Sequence, residues 1–461
     1  MESFSFQEQQ QLLDALKSPP LCSFVRICSI RWTDGIESAI QYLDEFMAEQ
    51  CKAKGWKPFI THRFNALPDV LFVMGERSRS CVEQVGPRII VDVHCGMAVM
   101  RGADIYTVGI LGGDWTKDQR VAIYVDVSGK CTRAAKIYTE CKLQFIGNGK
   151  ALVSRQEVFS VSQKQLRGSG VGVVMVDPLF LLPALGSLFD KGFVLQNLPS
   201  ILAGHALDVK PQHRILDMCC CPGGKTTHLA SLTGDKASII ALDHSKPKIT
   251  RLVSLLDRCN FKNIRAFVCN SADAVLSTQQ SAQFDFANDL PSQGNLLVDG
   301  LPRCSFDRIL LDPPCSGLGQ RPWFEFTIDE NNPSHFPRLT RSMLHAAYKL
   351  LKPGGRLVFS TCTFHVKENE KVVHEFLHTF PDMHLVGFDP LVDRIDWKQA
   401  SQPGRSFNAD EPLDPAIANS VCRFDPHMPV AVINGPEQLR LDSIGFFFSV
   451  FTKSVREQQN R

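Results

Sequence analysis

The feature that most constrains the fold of this chain is a strand, a glycine-containing loop and a helix in direct succession. Residues 214–217 form a short apolar run, residues 218–225 form a loop with two adjacent glycines, and a helical pattern begins at Thr226. From about Leu195 onward, further apolar runs alternate with helical stretches, which is the pattern of a doubly wound α/β sheet with parallel strands. The C-terminal half is therefore predicted to be Rossmann-like, with ligands bound at the carboxyl edge of its strands.

The glycine loop indicates the kind of ligand. Gly223 and Gly224 let the backbone approach a bound molecule, but their spacing is neither G-x-G-x-x-G nor G-x-x-x-x-G-K-[ST], which disfavours a dinucleotide or a triphosphate. Twenty residues past Gly223, the next apolar strand ends in Asp243, where a carboxylate can accept hydrogen bonds from both hydroxyls of a ribose. This pattern predicts a cofactor of the adenosine type, and a plain turn residue at the strand end is the alternative interpretation of Asp243.

Two cysteines each follow an apolar run of the predicted sheet. Cys315 lies in the segment Asp-Pro-Pro-Cys-Ser-Gly at 312–317, and Cys362 lies in Ser-Thr-Cys-Thr at 360–363. Because the carboxyl ends of parallel strands meet at one edge, we expect both thiols in one cleft. Two thiols in a cleft indicate chemistry in which a sulfur adds to a carbon and later leaves it. The alternative is that each cysteine is a small buried hydrophobe.

The 461 residues are predicted to form two or three domains. Residues 1–87 have a mixed α/β pattern, and residues 190–457 form the Rossmann-like part. Between them, in 88–180, short strand-like runs alternate with glycine-rich turns, which predicts a compact β-barrel. Residues 88–175 carry twelve lysines and arginines against seven aspartates and glutamates. That excess fits an RNA-facing patch, or else an ordinary solvated face.

Composition narrows the class of protein. The net charge of +2 gives no overall attraction to nucleic acid, so any RNA contact must be local. Sixteen cysteines without a secretory leader or a C-x-x-C pair indicate reduced thiols in the cytoplasm or nucleus and predict no metal site. The apolar stretch 171–189 contains Asp177 and two prolines, so we expect a buried linker between domains and not a membrane span. Nothing in the sequence requires more than a monomer.

Longer motifs resemble a known family. Cys-Cys-Cys-Pro-Gly-Gly-Lys-Thr at 219–226 and the two cysteine segments are similar to the motifs of the Sun-domain RNA cytosine-C5 methyltransferases, and the resemblance extends over about residues 195–452. Residues 91–103 resemble a PUA domain, an RNA-binding β-barrel. A PUA module before this catalytic domain is similar to the members of the family that methylate a cytosine near the acceptor end of transfer RNA. The resemblance implies S-adenosylmethionine as cofactor and RNA, in particular transfer RNA, as substrate.

The resemblance also implies which residues contact the cofactor. The loop would hold the methionine part, Asp243 the ribose, and Lys248 would lie nearby. Asn270 stands where the family has an adenine-contacting aspartate, and Asp273, three residues later, could replace it. The full set of implied cofactor-binding residues is Cys219, Cys220, Cys221, Pro222, Gly223, Gly224, Lys225, Asp243, Lys248, Asn270, Asp273 and Asp312.

The implied mechanism assigns four catalytic residues. Cys362 would add to C6 of the cytosine, which activates C5 towards the methyl group, and Cys315 would help to release the product. Asp312 would hydrogen-bond the ring at N3 and the exocyclic amine, and Lys225 would orient the base and favour the thiolate. The base has to reach these groups unstacked, so the target is flipped out or single-stranded.

Two other functions fit parts of the sequence. Asp312-Pro313-Pro314 is similar to the motif of enzymes that methylate an exocyclic amine, but Cys362 would then have no task. The chain could also be an RNA-binding protein with a methyltransferase fold that has lost activity. Asn270 favours that hypothesis, while the intact Cys315, Cys362 and Asp312 oppose it.

Overall fold

The structure is a computed structural model that describes residues 4–77, 82–138, 140–160, 170–324, 335–386, 401–406, 412–434 and 437–455. Three large β-sheets, with four, six and eight strands, organise the described residues. The first two sheets lie within the first 195 residues, and the largest sheet carries the predicted site residues.

The N-terminal part is a four-stranded sheet with two helices. Helix α2 buries alanine, leucine, methionine and cysteine side chains at every fourth position and ends at Gly55, which has a left-handed backbone. The fourth strand, Phe193–Leu195, comes from much later in the chain and pairs antiparallel with β1. The elements in chain order are α1 (Phe6–Leu16), β1 (Cys22–Ile27), α2 (Ile36–Lys54), β2 (Thr61–Arg63), β3 (Val70–Met74) and β4 (Glu76–Arg77).

The middle part is a six-stranded mixed sheet. The elements from residue 88 to residue 195, in chain order, are β5 (Arg88–Val91), α3 (Val93–Met100), β6 (Ile105–Tyr106), β7 (Ile110–Gly113), β8 (Arg120–Asp126), β9 (Leu143–Ala151), α4 (Arg155–Phe159), β10 (Val171–Pro178), β11 (Phe180–Leu181) and β12 (Phe193–Leu195), of which β11 pairs with β4 and β12 belongs to the four-stranded sheet. The strand order is β6-β10-β9-β8-β5-β7, and no pairing between the edge strands β6 and β7 is found in the described ranges. A closed barrel, as expected from the sequence, is therefore not found.

The apolar stretch 171–189 is also different from the prediction. It was expected to be a linker between domains, but Val171–Pro178 forms β10, the second strand of the six-stranded sheet. The reason is that Val173 and Met175 face the core of this sheet, where both are buried. Across the described ranges, no helix is both long and apolar enough to span a membrane.

The C-terminal part contains the predicted Rossmann-like sheet. Its order is β15-β14-β13-β16-β17-β22-β18, with β19 also paired to β22. Strands β13 to β17 are parallel, whereas β22 runs antiparallel to β17. The elements are α5 (Leu198–Ala206), β13 (Arg214–Asp217), α6 (Gly224–Leu232), β14 (Ser238–Asp243), α7 (Lys246–Arg258), β15 (Ile264–Val268), α8 (Thr278–Gln283), β16 (Phe306–Leu311), α9 (Phe336–Leu350), β17 (Leu351–Thr361), α10 (Glu370–Thr379), β18 (Met383–Leu385), α11 (Pro415–Ala418), β19 (Val421–Phe424), β20 (Val430–Asn434), β21 (Glu437–Leu441) and β22 (Phe446–Lys453).

Helices cover both faces of this sheet. Successive strand residues point to opposite sides, so Ile215 packs in one buried cluster with residues of α5, α6 and α7, and Leu216 packs in another with residues of α9 and α10. Because both faces of the sheet pack against apolar clusters, every position of these strands can be hydrophobic, and the strands are continuous hydrophobic runs in the sequence. The sheet is thus doubly wound, as the sequence predicted, and its carboxyl edge is left to the loops.

Candidate active site

The structure brings Cys315 and Cys362 together. Cys315 follows β16 and Cys362 follows β17, and the two strands are parallel neighbours. Their Sγ atoms lie 3.4 Å apart. Both side chains are only partly accessible, so the pair forms a half-buried site at the carboxyl edge.

The two thiols differ in acidity. The hydrogen bond from Cys315 lowers the pKa of Cys362 to about 7, with further help from Gln320 and Lys225 and against the effects of burial and of Asp312. The same hydrogen bond, together with burial, raises the pKa of Cys315. A Cys362 thiolate can therefore form near neutral pH, where it accepts a hydrogen bond from the protonated Cys315.

Asp312 is held from two sides. One of its carboxylate oxygens accepts a hydrogen bond from Lys225 Nζ at 2.7 Å, and the other accepts one from the Ser360 hydroxyl at 2.8 Å. Lys225 Nζ also lies 5.3 Å from the centre of the Phe446 ring. The Asp312–Lys225 ion pair next to the thiols is therefore held by residues of α6, β17 and β22 and of the turn after β16. Ser360, which the sequence analysis missed, orients the Asp312 carboxylate.

The turn after Cys315 is held by the segment that follows β17 and lies against Gly445, which precedes β22. Ser316 donates its backbone N–H to the buried Glu368 at 2.8 Å, and its hydroxyl lies 2.9 Å from that of Thr363. Gly319 N donates to the Cys362 carbonyl at 3.0 Å. A Cβ on Gly319 would come within 2.0 Å of the Gly445 carbonyl oxygen, so only glycine fits there. These contacts fix the position of Cys315, and only a three-dimensional structure identifies them.

The glycine loop joins β13 to α6, as predicted. Gly223 has φ +112°, and a Cβ there would lie 2.6 Å from Leu252. The loop is organised by Asp217, which sequence reasoning missed as well. One carboxylate oxygen of Asp217 accepts from the Thr226 hydroxyl at 2.8 Å, the other from Cys219 N at 3.3 Å, and burial raises the pKa of this carboxyl to about 7.

The cysteine run lies in this loop with its first two side chains turned towards the core. Burial raises the pKa of Cys219 well above its usual value. The pKa of Cys220 is raised by its contact with Cys221, whose Sγ is 3.8 Å away, and by burial. Pro222 is exposed at the tip of the loop. The thiols of Cys219 and Cys220 therefore stay protonated and line the loop without nucleophilic character.

The remaining predicted cofactor residues follow the next two strands. Asp243 ends β14, is buried, and accepts a hydrogen bond from Ser245 N at 2.8 Å. Lys248 is exposed in the first turn of α7. Asn270 follows β15 and caps a short 3₁₀ turn, and its side-chain amide donates to Asp273 at 2.5 Å. All predicted cofactor residues therefore lie along the carboxyl edge of β13, β14, β15 and β16.

The sheet is doubly wound, has a glycine loop after β13, and has acidic residues at or just after the ends of β14 and β15. This arrangement is typical of methyltransferases whose methyl donor contains a nucleoside. Residues 204–405 match the family described as 16S rRNA methyltransferase RsmB/F. The chain belongs to this Sun-domain family of RNA cytosine-C5 methyltransferases, and the resemblance inferred from its motifs is confirmed.

The relatives match nearly the whole chain. A human protein named tRNA (cytosine(72)-C(5))-methyltransferase NSUN6 is 33% identical over 96% of this chain and 91% of its own length. The mouse protein of the same name is 35% identical over 83% of this chain and 76% of its own. A crystal structure of NSun6 from Pyrococcus horikoshii with SFG has a TM-score of 0.70 at 24% identity, and the match covers 98% of this chain and 96% of that one. This last likeness supports the fold.

Proposed function

We propose that this protein transfers a methyl group from S-adenosylmethionine to C5 of a cytosine in transfer RNA. The observation that carries the proposal is the pair of thiols 3.4 Å apart, in which the pKa of Cys362 is lowered to about 7. A C5 methyl transfer requires a thiolate that adds to the ring, and transfer to an amine does not. The names of the human and mouse relatives support transfer RNA as the substrate.

The residues along the carboxyl edge fit the proposed cofactor. The open turn at Gly223 and Gly224 admits the methionine part, and the buried Asp243 carboxylate can accept hydrogen bonds from ribose hydroxyls. For the adenine amine we propose Asp273, because the Asn270 side-chain oxygen already accepts from Ala272 N, and its amide group holds the Asp273 carboxylate in place. When bound, S-adenosylmethionine supplies the electrophilic methyl group.

The thiols and Asp312 would act on the base. The Cys362 thiolate adds to C6, the displaced electron pair moves through the ring to N3, and N3 takes a proton from solvent. The Asp312 carboxylate accepts hydrogen bonds from N3–H and the exocyclic amine, and Lys225 orients that carboxylate. After the methyl group has joined C5, the C5 proton passes to solvent, and its bonding electron pair forms the 5,6 double bond as the C6–S bond breaks and the thiolate leaves. N3 then returns its proton to solvent. Cys315, next to the sulfur, is placed to assist this release.

We propose that the six-stranded sheet of residues 88–180 is a PUA-like module that contacts RNA. Its edge strands β6 and β7 are separated only by the 3₁₀ turn Thr107–Gly109, so the sheet has to curl until its edges come close. Lys130, Lys136 and Lys142 are exposed on this module and supply local positive charge. The domains are then 1–87, 88–180 and 190–457, acting as a monomer.

We propose a reducing compartment, the cytoplasm or the nucleus, as the place of action. All fifteen cysteines of the described ranges are free thiols. Cys362 has to remain one in order to attack the base, so an oxidising environment would oppose the reaction.

The decisive experiment is to incubate Cys315→Ala with transfer RNA and S-adenosylmethionine and to run a denaturing gel. We expect a covalent protein–RNA adduct, because attack by Cys362 proceeds while release stalls. Wild type should give free RNA with 5-methylcytosine, detected by bisulfite sequencing. An adduct from Cys362→Ala instead would reverse the two assignments. Methylation that survives in Cys362→Ala would support an amine methyltransferase.

A further inference from the structure

The helix that carries the cofactor loop is fastened to the N-terminal part of the chain. In the first turns of α6, consecutive side chains point in different directions. Lys225 reaches Asp312 and Thr226 reaches Asp217, both within the catalytic sheet. The next two side chains, Thr227 and His228, instead contact residues from the first seventy positions.

Arg26 makes the first of these contacts. It lies on β1 and is fully buried, and its Nη2 donates to the Gly224 carbonyl at 3.3 Å and to the Thr227 hydroxyl at 3.2 Å. The Thr227 hydroxyl in turn donates to the Gly223 carbonyl at 2.8 Å. The Arg26 guanidinium therefore contacts the Gly224 carbonyl directly and is linked to the Gly223 carbonyl through the Thr227 hydroxyl. Burial lowers the pKa of Arg26 to about 10, so it is still charged at neutral pH.

Asp69 makes the second contact. Its two carboxylate oxygens lie 3.0 Å from His205 Nε2 on α5 and 3.2 Å from His228 Nε2 on α6. Burial disfavours the ionised form of Asp69, but the hydrogen bonds from both imidazoles outweigh it and hold the pKa of Asp69 well below its usual range. Burial and the nearby Arg26 lower the pKa of His228 to about 3, so this ring is neutral and donates from Nε2. One carboxylate thus joins two helices and balances the buried Arg26.

A third contact lies at the far end of the same helix. Ser29 N donates to the Ser231 hydroxyl at 3.0 Å, and the Ser29 hydroxyl donates to the Ser231 carbonyl at 2.9 Å. This end of α6 points away from the cofactor loop. Ser29 therefore offers a matched control, since it fastens the same helix to the same neighbouring segment without touching Gly223 or Gly224.

Asp69, His205 and His228 are also residue types that bind Zn²⁺, and their ligand atoms lie within 4.8 Å of one another. Arg26 argues against a metal, because a divalent cation would be placed next to a buried positive charge. Gly204 packs against the Nδ1 side of the His228 ring, and a Cβ added to Gly204 would lie only 2.4 Å from Nδ1. Hydrogen bonds between Asp69 and the Nε2 atoms of both imidazoles hold these three side chains together.

We propose that Arg26 and Asp69 are positioning residues for S-adenosylmethionine: they fix α6 so that the Gly223–Gly224 turn and Lys225 are preorganised for the cofactor. This proposal rests on the cofactor assigned above. The N-terminal part of the chain then contributes to binding of the methyl donor. Arg26 makes this contribution through the backbone carbonyl of Gly224, which lies 198 positions later in the sequence.

The test compares Arg26→Met, Arg26→Lys and Ser29→Ala in the full chain. We expect Arg26→Met to weaken the Kd for S-adenosylmethionine, measured by calorimetry, by about tenfold, since a buried charged donor is lost. Its KM for the cofactor should rise in step while kcat falls less. Arg26→Lys should recover part of the affinity. Ser29→Ala should lower Tm but leave Kd within about twofold of wild type.

Each outcome decides the proposal. An unchanged Kd in a folded Arg26→Met, or an equal loss in Ser29→Ala at matched Tm, would overturn it. So would one equivalent of zinc in purified wild type that disappears in Asp69→Asn. Wild type that binds S-adenosylmethionine but does not methylate transfer RNA would refute the proposed function and leave the positioning role measurable by Kd. Wild type that binds no S-adenosylmethionine would overturn the cofactor assignment and the positioning role together.

Discussion

Two groups of cysteines lie along the same sheet edge, and the pKa of Cys362 in one group is shifted in the opposite direction from those of Cys219 and Cys220 in the other. In the pair after β16 and β17, one thiol loses its proton near neutral pH because a neighbouring thiol, Gln320 and Lys225 stabilise its charge. In the run 219–221 after β13, burial and nearby carboxylates keep the first two thiols protonated. The residue type and the position after a strand are the same, so the hydrogen-bond donors around each sulfur decide which thiol can react.

The largest effect should come from removing the acidic thiol. Cys362→Ala should lower the methylation rate by about 10⁴-fold or more, because the addition to C6 has no other nucleophile. The rate is measured by transfer of labelled methyl groups to transfer RNA. The matched control is Cys220→Ala, in the other group. Comparable losses in both variants would contradict the contrast between them.

The next effect concerns the charge near the pair. Lys225→Met should lower kcat/KM by about 100-fold, because Asp312 loses its partner and the Cys362 thiolate loses a stabilising charge. The variant should also raise the pKa of Cys362. The exposed Lys236, just beyond the other end of α6, offers a control, and Lys236→Met should behave as wild type. An unchanged pKa of Cys362 in Lys225→Met would mean that Cys315 and Gln320 lower this pKa without help from Lys225.

The acidity difference can be measured directly by alkylation with iodoacetamide, resolved by mass spectrometry. Because the pKa of Cys362 is lowered to about 7, its thiolate is present above that pH and is lost as the pH falls through it. Its alkylation rate should therefore rise to a plateau with a midpoint near pH 7. Cys219 and Cys220 should react only at much higher pH, since burial raises the pKa of both. Equal midpoints would refute the contrast.

The smallest effect should come from Cys220→Ala itself. The side chain is buried and acts as a small hydrophobe, so we expect a loss of about 1 kcal/mol in the free energy of unfolding. Methylation should stay within about threefold of wild type. Denaturant unfolding and the methyl-transfer assay measure the two quantities. A large loss of activity at normal stability would give the cysteine run a chemical task.

The sequence was sufficient to predict the catalytic sheet and the meeting of the two thiols. Parallel strands place their carboxyl ends together, so an apolar run followed by a cysteine locates that cysteine without further information. The difference in acidity could not be predicted, because Gln320 and the Asp312–Lys225–Ser360 contacts depend on distances across strands. Arg26 and Asp69 were equally hidden, since 198 and 159 positions separate them from their partners on α6.

The six-stranded sheet of the middle part shows a different limit of structure prediction from the sequence. Short strands and glycine turns indicated a β-rich module, but they do not specify whether edge strands pair. The apolar stretch 171–189 was predicted to be a buried linker because its aspartate and two prolines oppose a membrane span, yet Val173 and Met175 of β10 complete a core. Burial in the assembled sheet outweighed the local signal there.

The short pairing of β4 with β11 has a consequence for how this chain is built. Arg77 lies opposite Phe180, so the chain leaves and re-enters the N-terminal part at adjacent points, and β12 then completes the first sheet. The six-stranded sheet is thus an insert joined to the N-terminal part through a two-stranded pairing. A fragment that starts at residue 190 would lack β1 and the contacts of α6 with Arg26, Ser29 and Asp69, whereas a graft that joins Arg77 to Phe180 by a tight turn would keep them. The insert could therefore be removed or exchanged without cutting the chain between α6 and the segment that holds it.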